Sequence, residues 1–175
     1  MKPYLKRAWA EISLSALEAN IRAISASLQG NTQIMAVVKA DAYGHGEAEI
    51  LQKLTQIGIR YFAVSNLDEA LHVRQYCPDS DVLILGYTPP EYADTLAQNN
   101  IIQGIVSAEY ACTLNARTRT PIRCHVKLDT GMGRIGITGD TPGDCADSIQ
   151  DMSFLRNLKI EGIYTHFAVA DMPDD

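Results

Sequence analysis

Two kinds of hydrophobic pattern alternate along this chain: short continuous apolar runs, and stretches in which apolar residues recur every three or four positions. The first stretch of the second kind follows an extended lead-in at residues 7–12. It predicts a helix whose apolar face carries Leu14, Leu17, Ile21, Ile24 and Leu28. Ser15 and Glu18 have the spacing of a capping box, and Gly30 suits the end of this helix.

Six strands are predicted, at residues 34–39, 61–64, 82–85, 101–106, 122–128 and 160–165. The first is a continuous apolar run that ends in Lys39, a pattern typical of strands covered on both faces. A helix-length segment separates each strand from the next. These helices are predicted at residues 47–56, 66–77 with Asn66 as the cap, 90–99, 107–116 with Ser107 as the cap, and 141–152. Repeated strand–helix–strand units indicate a parallel sheet.

The distinctive residues of the chain follow its predicted strands. They are Lys39, Ser65, Gly86, Ser107, the loop 129–136 and His166. In a parallel barrel the loops after the strands share one face, which carries the site in enzymes of this architecture. A doubly wound open sheet also binds ligands at the carboxyl ends of its strands. No Gly-x-Gly-x-x-Gly follows any strand here, so we expect an α/β fold of the (β/α)₈ TIM-barrel type.

The length of the chain conflicts with a complete barrel. Eight strands close such a barrel and typical examples need about 250 residues, whereas the 175 residues hold about six of the eight strand–helix units. Either the chain is a fragment of a longer protein, or the sheet stays open and is covered by something else. An exposed strand edge would favour aggregation.

Composition and charge exclude several classes of protein. The net charge of -6 and the scattered basic residues argue against a partner nucleic acid. No apolar run approaches the roughly 20 residues that span a membrane, and the N-terminus lacks the apolar core of a signal peptide, so we expect the cytoplasm. Cysteines are far apart and form no Cys-x-x-Cys pair, so neither a metal site nor a disulfide framework is expected; they are Cys77, Cys112, Cys124 and Cys145.

The run Ile34-Met-Ala-Val-Val-Lys39-Ala-Asp-Ala-Tyr43-Gly-His-Gly46 delivers one lysine to the end of a buried strand. A partly desolvated lysine can act as a nucleophile toward carbonyl groups. The two glycines of the run allow close approach of the backbone to a ligand. The alternative is that Lys39 packs its stem and keeps its ammonium in water, and that Tyr43 is a core tyrosine with a bonded hydroxyl.

Two further stretches contain residues that could take part in binding or catalysis. In His125-Val-Lys127-Leu-Asp-Thr-Gly-Met-Gly-Arg134-Ile-Gly136, a buried strand delivers Lys127 and a glycine-rich loop presents Arg134, whose planar guanidinium suits anions. In Gly162-Ile-Tyr-Thr-His166-Phe-Ala-Val-Ala-Asp171, a histidine follows the last strand. The alternative interpretations are that Arg134 simply faces solvent and that His166 has only a structural role.

These three stretches, in this order, resemble the alanine racemase family of enzymes, which depend on pyridoxal 5'-phosphate. The resemblance implies that Lys39 carries the cofactor and is the base on the D-face of the substrate. It further implies that Tyr43 reaches the cofactor phosphate, that Arg134 bonds the phenolic oxygen and lies near the substrate carboxylate, and that His166 stands beside the ring. Lys127 matches a position that is often carbamylated in the family and then orients the arginine.

The resemblance covers nearly the whole chain and implies that residues 1–175 are the N-terminal part of the barrel domain. The last two strands, most phosphate contacts, a β-rich C-terminal domain and the second catalytic base, a tyrosine, would then lie outside this sequence. It implies interconversion of L- and D-alanine, which supplies D-alanine for peptidoglycan, by a homodimer with a composite site. The fragment alone would be inactive.

Three alternatives to an alanine racemase remain from the sequence. A serine-preferring racemase would share these motifs. A non-catalytic barrel protein that binds pyridoxal phosphate would explain the short chain, but such proteins carry a different lysine motif. A Schiff-base aldolase would share the buried lysine but leaves the loop Asp129–Gly136 unexplained.

Overall fold

The computed structural model describes residues 8–172, which form six strands with helices on one side of the sheet. The strands are β1 (Met35–Val37), β2 (Tyr61–Val64), β3 (Asp81–Ile84), β4 (Ile102–Ile105), β5 (Ile122–Leu128) and β6 (Leu158–Thr165). The helices are α1 (Leu14–Ser27), α2 (Lys39–Gly44), α3 (Glu47–Gln56), α4 (Leu67–Tyr76), α5 (Ala93–Gln98), α6 (Ala108–Arg117) and α7 (Pro142–Ser153), with a 3₁₀ turn at Pro90–Tyr92.

All six strands are parallel and lie in the sheet in the order in which they occur along the chain. This arrangement is an open arc of a barrel and confirms the predicted partial (β/α)₈ fold. Within residues 8–172, β1 and β6 therefore pair on one side only. The β5–β6 ladder has a bulge between Cys124 and His125.

Two apolar layers hold this arc together. The larger layer lies between the sheet and the helices and includes the fully buried Leu51, Phe62, Ile84, Leu96, Ile105 and Leu114. Each such side chain contributes about 1.5–3 kcal/mol on burial. A smaller layer on the concave side contains Ala63, Leu83 and Ile102, against which Tyr164 packs. This second layer is the floor on which the candidate site lies.

The predicted helix caps are confirmed at two helices and wrong at one, and the helix predicted from Thr141 also begins there. Asn66 and Ser107 cap α4 and α6, and Thr141 begins α7 with a complete capping box. Helix α1 starts differently, because its N-cap is Ser13 rather than Ser15. Glu18 makes ion pairs with the side chains of Arg22 and Lys53 instead of capping the helix.

Other predicted elements also differ from those observed. Strand β6 begins at Leu158 and not at residue 160. The strand predicted at 34–39 is only Met35–Val37, because the backbone turns left-handed directly after Lys39. The helix predicted at 90–99 begins as a 3₁₀ turn, and α5 follows it. The predicted extended lead-in starts at residue 7, which lies outside the described residues, and residues 8–13 have no regular structure.

No helix between residues 8 and 172 is long and apolar enough to cross a bilayer. Over the same residues, no group of three or more histidine, cysteine or acidic side chains could hold a metal ion. All four cysteines are free thiols.

Candidate active site

A cavity of about 490 Å³ opens at the carboxyl ends of the strands. Its apolar floor includes Met35, Ala63 and Leu83 from the first three strands. All five residues predicted from the sequence line this one cavity: Lys39, Tyr43, Lys127, Arg134 and His166. The fold thus brings together side chains from three separate stretches, since the carboxyl ends of parallel strands meet at one edge of the sheet.

Lys39 enters the cavity from an unusual backbone segment. The four residues after it, Ala40 to Tyr43, all have φ between +51° and +55°, so α2 is a left-handed turn. Left-handed backbone costs L-residues roughly 1–2 kcal/mol each. Strained segments of this kind persist only where the surrounding structure holds them, and they occur preferentially at functional sites.

Several hydrogen bonds hold the left-handed turn. The Ala42 N–H donates to the Val38 carbonyl at 3.0 Å, and the Glu47 N–H donates to Oδ1 of Asp41 at 2.7 Å. The Ala40 N–H donates to Oε1 of Glu69, which reaches the turn from α4. Together these contacts connect the turn to β1, to α3 and to α4.

Tyr43 stands at the rim of the cavity and contacts Lys39. Nζ of Lys39 lies 5.7 Å from the centroid of the Tyr43 ring, within the range of a cation–π interaction. The tyrosine is 59% exposed, so it is not the core tyrosine of the alternative interpretation. Its ring therefore restricts Lys39 while its hydroxyl stays accessible.

The glycine-rich loop that carries Arg134 is organised around the carboxylate of Asp129. The N–H groups of Gly131 and Gly133 donate to its Oδ1 at 3.0 Å, and the Arg134 N–H donates to its Oδ2 at 2.9 Å. The hydrogen bonds from Gly133 and Gly131, with that from Arg134, lower the pKa of Asp129. At neutral pH this carboxylate is charged and keeps the loop closed.

Lys127 supports the same loop from below. The residue is only 6% exposed, and its Nζ donates to the carbonyl of Ile135 at 2.6 Å. The chain then closes on itself, because Ile137 donates its N–H to the Lys127 carbonyl at 2.8 Å. The buried Lys127 thus fixes the peptide next to Arg134, and Arg134 lines the cavity.

His166 follows β6 and lines the cavity from its open side. The preceding residue connects this strand to the glycine-rich loop: Oγ1 of Thr165 donates to the Leu128 carbonyl at 3.0 Å and shares a 2.6 Å hydrogen bond with Thr130. The direction in which His166 leaves the strand is therefore coupled to the loop that carries Arg134.

Two residues at the floor were not predicted from the sequence. His125 lies two residues before Lys127 on β5, and burial lowers its pKa. Tyr164 lies two residues before His166, and its hydroxyl donates to the Leu85 carbonyl at 3.3 Å. Burial raises the pKa of Tyr164 to about 12, so its hydroxyl stays neutral. The period of two along each strand is the signal that would have found both.

The cavity lining carries positive charge. Lys39, Lys127 and Arg134 contribute cations, and no aspartate or glutamate is among the described residues that line it. A partly apolar cavity with convergent cations is suited to a small anionic ligand with a flat apolar part. The half-buried Lys39 in its wall can form a covalent bond with a carbonyl group.

The fold is an open arc of a parallel barrel, and Lys39 lines a cavity at the carboxyl end of its first strand. Residues 12–175 match the family described as alanine racemase, N-terminal domain. The chain belongs to this family.

Individual relatives agree with this assignment. An amino-acid racemase of Enterococcus faecalis is 45% identical over 166 residues, which are 95% of this chain and 23% of that protein. An alanine racemase of Desulfovibrio desulfuricans is 40% identical over 169 residues, covering 95% of this chain and 45% of the relative. The solved structure of alanine racemase from Clostridium difficile 630 superposes with a TM-score of 0.87 at 34% identity, over 97% of this chain and 47% of that one. The chain thus spans less than half the length of these relatives.

Proposed function

We propose that the full-length protein containing this sequence is an amino-acid racemase that depends on pyridoxal 5'-phosphate, with alanine as its substrate. The observation that carries the proposal is the convergence of Lys39, Tyr43, Lys127, Arg134 and His166 on one cationic cavity. The relatives named alanine racemase support the choice of reaction and substrate. A preference for serine is the alternative that substrate comparison would reveal.

The residues present fit the proposed cofactor. Its aldehyde requires an amine, which Lys39 supplies at the cavity wall; its phenolate and phosphate require donors, which Arg134 and Tyr43 can supply. The apolar floor formed by Leu83 and Leu85 suits a flat ring. No carboxylate is among the described residues that line the cavity, so the negatively charged cofactor would meet no like charge there.

Racemisation requires a proton to leave the α-carbon of an amino acid on one face and another to arrive on the opposite face. Bound pyridoxal phosphate would supply the delocalisation that stabilises the charge left on that carbon. The amine of Lys39 would hold the cofactor and would move the proton on the D-face at its Nζ. Its tether at the left-handed turn limits where that Nζ can go, which favours one face over the other.

Arg134 and Lys127 have complementary tasks in this proposal. The guanidinium of Arg134 would bind the phenolic oxygen of the cofactor and the substrate carboxylate. Lys127, buried beneath the loop, holds the peptide beside Arg134 through the Ile135 carbonyl. Carbamylation of Lys127 would replace this cation by an anion and so pair it with the guanidinium. His166, which also lines the cavity, would lie beside the ring of the cofactor.

The proposal needs groups that residues 8–172 do not supply. A second base must act on the opposite face, and we propose that it is a tyrosine of the C-terminal domain of a partner subunit in a homodimer. The product D-alanine would serve peptidoglycan synthesis in the cytoplasm. The 175 residues alone are then expected to be inactive.

The test is to locate the covalent bond. The full-length protein is loaded with pyridoxal phosphate, reduced with borohydride and digested, and the labelled peptide is identified by mass spectrometry. We expect the label on Lys39 and its loss, with the racemase activity, in Lys39→Ala. Lys159→Ala is the matched control, because Lys159 is exposed at the opposite end of β6 and pairs with Glu161. A label on another lysine, or activity retained without Lys39, would refute the proposal; a label without racemisation would indicate a binding protein.

A further inference from the structure

A carboxylate from the second strand–helix unit holds the segment that carries Lys39. Oε1 of Glu69, in the first turn of α4, accepts a hydrogen bond from the Ala40 N–H at 2.8 Å. Its Oε2 accepts from the Ser65 N–H at 2.8 Å and from the Ser65 hydroxyl at 2.7 Å. One side chain therefore fastens the loop after β1 to the loop after β2, and we call these three hydrogen bonds the Glu69 clamp.

Capping of α4 does not by itself account for this arrangement. In a capping box, the acidic residue at the third helical position bonds the N–H of the N-cap residue itself. The N-cap here is Asn66, whose side chain accepts the Glu69 N–H at 3.0 Å. The Glu69 carboxylate reaches past Asn66 to Ser65 and to Ala40, which lies 29 positions earlier in the chain. The Glu69 carboxylate therefore links the first strand–helix unit, through Ala40, to the second, through Ser65.

The Ala40 N–H belongs to the peptide group whose carbonyl carbon is that of Lys39. Fixing this N–H fixes the plane of that peptide, and the plane sets the direction in which the Lys39 side chain leaves the backbone. Ala40 is also the first residue of the left-handed turn, with φ +53° and ψ +53°. Because Ala40 is exposed, water would replace a lost carboxylate, and the turn would be free to relax.

Electrostatics strengthens the clamp. Partial burial favours the neutral acid, but hydrogen bonds from the Ser65 hydroxyl and from the Ala40 and Ser65 N–H groups, with the charge of Lys39, hold the pKa of Glu69 below its usual value. The carboxylate is therefore ionised at neutral pH, and hydrogen bonds to an ionised acceptor are the stronger kind.

We propose that Glu69 is a positioning residue for Lys39: through the Ala40 N–H it holds the left-handed turn in the geometry that aims the lysine amine into the cavity. The proposal rests on the proposed function of Lys39 as the cofactor-bearing residue. Glu69 itself does not line the cavity, so it acts through the backbone and not by contact with a ligand.

The experiment uses the full-length protein with Glu69→Ala, Glu69→Gln and the matched control Asn66→Ala. The control removes the side-chain cap from the same end of α4 and leaves the Ala40 contact intact. One readout is hydrogen exchange of the Ala40 amide in protein freed of cofactor. The other is the rate at which added pyridoxal phosphate becomes fixed to Lys39, measured by borohydride quenching at timed intervals and peptide mapping.

Loss of the clamp should accelerate exchange of the Ala40 amide about tenfold in Glu69→Ala, as expected for one lost hydrogen bond. Fixation to Lys39 should slow by about 10- to 100-fold, because displacement of a reacting group by about 1 Å has effects of that size. Glu69→Gln retains one acceptor oxygen and should give intermediate values for both readouts. Asn66→Ala should leave both at the wild-type level, although it weakens the same helix.

Fixation at the wild-type rate in both Glu69 variants would overturn the inference and leave the clamp as packing only. Fast exchange of the Ala40 amide in the wild-type protein would overturn it as well, since the hydrogen bond would then not persist in solution. An equal slowing in Asn66→Ala would assign the effect to α4 as a whole and also overturn it. If Glu69→Ala does not fold, the nearly isosteric Gln variant decides. Absence of label from Lys39 in the wild-type protein would instead refute the proposed function, so the two failures are distinguishable.

Discussion

The glycine-rich loop that carries Arg134 permits a stability experiment with its control in the same loop. Gly131 and Gly136 have similar backbone angles, φ +126° and +133°, so an alanine is strained at both positions. They differ in the space around them. A Cβ at Gly131 would meet no atom within 4 Å, whereas a Cβ at Gly136 would lie 2.7 Å from the backbone nitrogen of Asp129.

The expected losses of stability follow from backbone strain and from the collision of the new Cβ. Backbone strain of this kind costs about 1–3 kcal/mol and applies to both variants. Collision with a packed neighbour adds about 1–3 kcal/mol in Gly136→Ala alone. Asp129 cannot move away freely, because its N–H donates to the Ile137 carbonyl at 3.0 Å and so closes the loop. We therefore expect Gly136→Ala to lower the free energy of unfolding by about 2–6 kcal/mol and Gly131→Ala by about 1–3 kcal/mol.

Urea unfolding of the full-length protein, followed by circular dichroism, measures both losses. The loop also presents Arg134, so affinity for pyridoxal phosphate should fall more in Gly136→Ala than in Gly131→Ala. Equal losses of stability in the two variants would refute the reasoning, because the collision that distinguishes them would then have no energetic consequence.

Two more predictions concern the floor of the cavity. A Cβ at Gly104 would lie 2.7 Å from both the Tyr164 hydroxyl and the Ile84 carbonyl, so Gly104→Ala should cost about 1–3 kcal/mol in urea unfolding. Adding Tyr164→Phe should recover part of that loss, and strict additivity of the two changes would contradict the contact. Burial lowers the pKa of His125 below its ordinary value of 6.5. In acid the unfolded chain therefore binds a proton that the native state resists, so the free energy of unfolding should decrease as the pH is lowered. His125→Gln should reduce this slope when free energies of unfolding are measured from pH 7.5 to about 5.5, and an unchanged slope would show that another group is responsible.

Local signals in the sequence predicted much of the fold. The bounds of β2 and β5 agree with the predicted strands. The apolar run of β2 is typical of a buried strand, whereas in β5 the buried Ile122, Cys124 and Val126 alternate with polar residues. Asn66 and Ser107 were identifiable as caps because their side chains accept N–H groups three residues later, a contact that needs no distant partner.

Tertiary contacts explain the predictions that were wrong. The run that ends at Lys39 has the pattern of a continuous strand, yet the chain turns left-handed in residues without a glycine. No local preference of Ala40 or Asp41 predicts this turn, because its stabilising contacts include a carboxylate from α4. The cap of α1 was assigned to Ser15 because two serines compete there, and pattern alone does not show that Ser13 leaves the helical conformation.

The candidate site was predictable where its residues lie in recognisable stretches and not elsewhere. Lys39, Lys127 and Arg134 came from two such stretches, and the structure places them in one cavity; their chemical roles remain predictions. Glu69 has no comparable signal, because its position relative to Asn66 is that of an ordinary capping residue, and only the fold brings it to Ala40.

The identity of sheet order and chain order has a consequence for synthesis on the ribosome. Every strand finds its partner in the strand made just before it, so β1 to β4 can assemble while the remainder is still being translated. Lys39 nevertheless lacks its cationic neighbours until Lys127 of β5 and Arg134 of the following loop emerge, on the order of 10 s later at roughly 5–20 residues per second. A nascent chain stalled before residue 122 should therefore resist protease within β1–β4 and still be unable to bind the proposed cofactor.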